Sequence, residues 1–158
     1  MSPVATLSFS VRAGWERHPK EVVVTPSIDD KLLTELVSAF EAKHHFEPLD
    51  GYGGLIPDWF NYGPLDRYFM ADIPAGSYWV RLAGIYVLGC ECGEVGCWPL
   101  VCRVTVEGES VTWDRFRQPH RPERNYSEFG PFVFNLGQYQ EAIARLVAEF
   151  KSRSTADS

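Results

Sequence analysis

The twenty residues from Trp98 to Arg117 constrain the fold more than any other part of the chain. Trp98, Leu100, Cys102, Val104 and Val106 recur at every second position, the period of a strand that presents one face to a core. The link that follows, Glu107 to Ser110, contains Gly108 and is short enough only for a tight reversal, after which Ser110 to Arg117 runs back as a second strand. With Tyr78 to Leu88 preceding them, these segments predict an antiparallel meander over 78–117.

Three further strands are expected. Ala5, Leu7, Phe9 and Val11 alternate with Thr6, Ser8 and Ser10, and Glu21 to Thr25 carries three consecutive valines; a hairpin is the simplest link between them. Phe132 to Phe134 supplies the last. Two amphipathic helices complete the set. Ser27 stands before Ile28, Asp29 and Asp30 as a hydroxyl N-cap with negative charge in the first turn, which predicts a helix over about 28–43, with Ile28, Leu32, Leu36, Val37 and Phe40 on its apolar face. Asn135 with Gln138 caps a second helix over about 138–151, whose stripe is Tyr139, Ile143, Leu146, Val147 and Phe150. The expected class is therefore α+β, a mainly antiparallel sheet of about five to six strands with two helices, in a single domain over 1–151 followed by a polar tail at 152–158.

A length of 158 residues suits one core, and 45% hydrophobic with 23% charged residues excludes wholesale disorder. The least polar run, Tyr78 to Leu88, contains Arg81 and is too short to span a bilayer, so no membrane is expected as a partner. The first residues carry neither a basic nor an apolar leader region, which predicts a cytoplasmic protein. A net charge of −6 repels phosphate backbones, so nucleic acid is not expected as a partner either.

Chemistry concentrates in three places. Cys90, Cys92 and Cys97 fall within eight residues of a glycine-rich turn between two strands, a setting in which thiolates can converge on a soft cation such as zinc. The fourth ligand of a tetrahedral site would be His120, from the loop after the next strand, rather than Cys102, whose alternation aims it at the core. Packed or solvent-facing reduced thiols are an equal reading, because the spacing is not a paired CxxC signature. A redox pair ranks below both, since Glu91 and Glu94 disfavour a thiolate. The second place is Arg115 to Arg124, where Arg117, His120, Arg121 and Arg124 can bind a carboxylate or phosphate, with Tyr126 or Trp113 as a stacking face. The stronger reading is that these arginines pair with the chain's own carboxylates, such as Asp50, Asp58, Asp66 or Asp72. The third is the aromatic stretch from Glu47 to Gly76, which either lines a pocket in which Asp58 and Asp66 divide acid and base roles or simply caps the sheet. His44 and His45 fit a helix C-terminus, where positive charge is favoured.

The chain carries no GxSxG elbow, Walker loop, HExxH or GxGxxG. GCECGEVGCWPL at Gly89 to Leu100, WDRFRQPHR at Trp113 to Arg121 and GPFVF at Gly130 to Phe134 resemble a set of small uncharacterised bacterial proteins. That resemblance covers about the second half of the chain and implies a bacterial, cytosolic origin without an activity. The leading expectation is a non-catalytic binding or interaction domain for a small molecule or protein, with a cysteine-rich hairpin able to hold a structural zinc. The alternative is a small hydrolase-like enzyme using Asp58, Asp66, His120 or Arg121 around an aromatic cleft.

Overall fold

The computed structural model describes residues 4–13, 22–46, 52–56, 65–70, 84–90, 99–121 and 123–156. Among them the chain forms β1 (Leu7–Ala13), β2 (Val22–Ile28), β3 (Lys31–Leu32), α1 (Leu33–Lys43), β4 (Tyr52–Gly53) and α2 (Leu65–Tyr68). After these come β5 (Ile85–Cys90), β6 (Leu100–Glu107), β7 (Ser110–Arg117), β8 (Phe132–Asn135) and α3 (Leu136–Ala156). The fold is α+β and its sheets are antiparallel, as the alternation predicts.

The strands divide into two sheets rather than one, a three-stranded sheet ordered β1-β2-β3 and a five-stranded sheet ordered β4-β5-β6-β7-β8. Backbone hydrogen bonds stitch the two together at both ends. The Ala5 N–H donates to the Val133 carbonyl at 2.7 Å, and Val24 and Leu55 exchange both of their bonds at 2.7 Å. A circuit of backbone pairing thus runs from β8 through Ala5 to β1 and β2, across to Leu55 beside β4, and back through β5, β6 and β7. Gly54 makes the crossing possible: a Cβ there would stand 2.4 Å from Thr25 Oγ1 and 2.9 Å from the Val24 carbonyl.

The first helix begins later than the sequence pattern predicts. Val22 to Ile28 is strand throughout, Asp29 and Asp30 form a two-residue turn, and Lys31 pairs back with Ile28. Both turn residues have left-handed φ, 52° and 67°, the conformation a two-residue hairpin of type I′ requires and one that aspartate tolerates better than most residues. Asp29 is also held to the strand start, its Oδ1 accepting from the Thr6 N–H and its own N–H donating to the Thr6 carbonyl, each at 2.9 Å. Ser27 is therefore a buried strand residue and not a helix cap. Helix α1 starts at Leu33 with no side-chain cap and ends in a Schellman motif: Phe46 N–H bonds to the Glu41 carbonyl, His45 N–H to the Ala42 carbonyl, and His45 takes φ 59°.

The β6–β7 hairpin turns where predicted, with Gly108 at φ 60° in the first turn position, and β7 has its predicted bounds, while β6 begins at Leu100 and not at Trp98. Asn135 caps α3 as expected, its Oδ1 accepting from Gln138 N–H at 3.0 Å. Helix α3 runs from Leu136 through Ala156, longer at both ends than the predicted 138–151. Its stripe of Tyr139, Ala142, Ile143 and Leu146 is buried against β1 and the β7–β8 pair. At the centre of the core Tyr139 OH accepts from Trp113 Nε1 at 2.9 Å and donates to the Phe69 carbonyl, so three buried polar groups satisfy one another.

Candidate functional site

Strand register decides which predicted groups share an end of the sheet. Leu88 pairs with Leu100, Val101 with Arg117, and Tyr52 with Cys90. The end of β5, the start of β6, the loop leaving β7 at Gln118 and strand β4 therefore lie side by side. Register shifts flank β6 on both sides near this end, one at Val87 in β5 and one at Arg115 in β7, where φ is 53°. Such bulges bend a strand and re-aim the side chains beyond them, here Phe116 and Arg117.

The side chains of Cys90, Cys92 and Cys97 lie outside the described residues, as do Asp50, Asp58, Asp72 and the rings Trp59, Phe60 and Tyr62. Among the described residues no three His, Cys, Asp or Glu side chains gather as metal ligands. His120 is exposed on the 118–121 turn, Arg117 and Arg121 are half-buried, and Asp66 is exposed on α2. Cys102 is completely buried; burial, and then the charge of Asp114, pushes its thiol well above the usual range, which makes it a core residue. Trp113 is likewise sealed in the core. Tyr68 and Phe69 cap the sheet from within, Tyr68 OH donating to the Tyr86 carbonyl at 2.7 Å.

Arg124 has a different setting from its neighbours. Its side chain is 4% exposed, and Nη1 donates to Oε2 of Glu41, itself fully buried, at 2.7 Å. Tyr126 OH donates to the same oxygen at 2.6 Å, and Tyr52 OH lies 2.9 Å from Tyr126 OH. A phenol has one hydrogen, and that of Tyr126 is committed to Glu41, so Tyr52 donates to Tyr126. The result is a directional chain from Tyr52 through Tyr126 to a carboxylate that Arg124 neutralises. Rings exclude water around it: Phe40 stacks on Tyr126 at 5.7 Å, Phe46 meets Tyr126 edge-on at 5.7 Å, and the Arg124 guanidinium sits 5.3 Å from the Phe46 ring centre. The Schellman turn after α1 is what swings Phe46 into this position.

The electrostatics follow from that enclosure. Burial, then the hydrogen bond to Glu41, pushes the Tyr126 hydroxyl up to about 12, and burial with the Tyr126 contact pushes Tyr52 further still. Burial alone would lower Arg124; the Tyr126 contact and the charge of Glu41 outweigh it and hold the guanidinium above its ordinary value. Close by, Gln118 is 1% exposed, and its Oε1 accepts from the His120 N–H at 2.7 Å, which fixes its Nε2 as a buried donor with no partner among the described residues. A cleft of about 480 Å³ opens along α1, with Thr34, Glu35, Ser38, Glu41 and Tyr52 among its walls.

Of the predicted anion-binding set, Arg124 is thus committed to an internal carboxylate, while Arg117, His120 and Arg121 remain nearer the surface at the same end. Sequence reasoning missed Glu41 and Gln118, and placed Tyr52 only as one ring of the aromatic stretch. Glu41 had a signal, since it falls four residues after Val37 and eight after Leu33 on the buried side of α1. Comparison with protein-family models, curated proteins and solved structures finds no match to this chain.

Proposed function

We propose that the protein is a non-catalytic binding domain whose working end is the sheet end where the β5–β6 turn, β4 and the 118–126 loop meet. The observation that carries this reading is the register: Tyr52 opposite Cys90 and Arg117 opposite Val101 bring the cysteine turn and the Arg/His loop to one end. The Glu41–Arg124–Tyr126–Tyr52 chain gives that end a rigid polar floor, and Gln118 contributes a buried amide donor with capacity to spare. Arg117 and Arg121 then offer positive charge for a carboxylate- or phosphate-bearing small molecule or protein segment.

In the same reading Cys90, Cys92 and Cys97, with His120, hold a structural zinc that pins the turn, in a reducing compartment such as the bacterial cytoplasm, where thiols persist. Elemental analysis of untagged protein tests this part. Close to one zinc per chain is expected, with Cys92→Ser losing the metal and much of the thermal stability. Protein free of metal in which three thiols react readily in the native state, Cys102 alone being shielded, would refute it. Anion binding is tested separately by titrating phosphate into the protein. Saturable binding weakened in both Arg117→Ala and Arg121→Ala supports the reading, and no saturable binding removes it.

A further inference from the structure

We draw no further inference here: the strongest candidate, the cleft of about 480 Å³ along α1, carries nothing, because Glu41 and Tyr52 in its walls belong to the site already described and nothing in the structure shows what would fill it.

Discussion

Replacing Arg124 with methionine isolates the buried ion pair. The substitution keeps most of the apolar stem of the side chain but removes the cation, leaving Glu41, fully buried, with the Tyr126 hydroxyl on the same oxygen that Arg124 held. Breaking one partner out of a buried pair typically costs about 3–5 kcal/mol, because the remaining charge keeps its desolvation penalty and loses its compensation. In a chain of this length each kcal/mol moves the melting temperature by roughly 2–4 °C, so a fall on the order of 10 °C is expected. Urea unfolding followed by fluorescence measures it directly as a lower midpoint. The double variant Glu41→Gln with Arg124→Met should recover part of the loss, since a neutral amide can sit in the ring-lined site at lower cost. A single variant within about 1 kcal/mol of the parent, the value of an exposed pair, would refute the reasoning. A double variant as unstable as the sum of the two singles would refute it equally.

Tyr139→Phe removes the hydroxyl that joins Trp113 Nε1 to the Phe69 carbonyl, leaving two buried groups unpaired, and should cost about 2–4 kcal/mol in the same unfolding assay; a loss below about 1 kcal/mol would show that other partners take over. With the Tyr126 hydroxyl at about 12 against about 10 in the unfolded chain, the unfolded state gives up its proton first. The stability it supplies is therefore intact below about pH 10 and declines from there to about pH 12; urea midpoints measured across that range should fall, and Tyr126→Phe should flatten the fall. His45→Gly relieves a non-glycine residue at φ 59° in the Schellman turn and should raise stability by about 0.5–1 kcal/mol, read as a small increase in melting temperature; a decrease would mean that the imidazole itself matters there.

The parts of the fold that were legible in sequence are those whose signals are local. The β6–β7 hairpin needs only alternation and a glycine, and the cap of α3 needs only Asn135 three residues before Gln138. The Ser27 to Asp30 segment misleads because serine and aspartate serve helix starts and left-handed turns alike, and the outcome depends on Lys31 finding Ile28 across the turn. Strands β3 and β4 are two residues each and carry no period of their own; only their partners define them. At the candidate site the sequence shows Arg124 as part of a basic cluster, but its carboxylate lies 83 residues away on α1, beyond the reach of any spacing rule. Gln138 departs from the capping-box expectation for a similar reason: its amide reaches 131 residues back to Leu7.

That last contact also bears on the order in which the chain is made. Residue Leu7 leaves the ribosome early, yet the side chain that bonds its N–H and C=O, and the strand that accepts the Ala5 amide, arrive only after more than a hundred further residues. During synthesis the first hairpin must wait with a bare flank, exposed to whatever extended segment is nearby. Such distant pairings delay completion of a native sheet and leave nascent chains open to capture. A chaperone that shields β strands early in translation would therefore raise the yield of folded protein more than one acting after release.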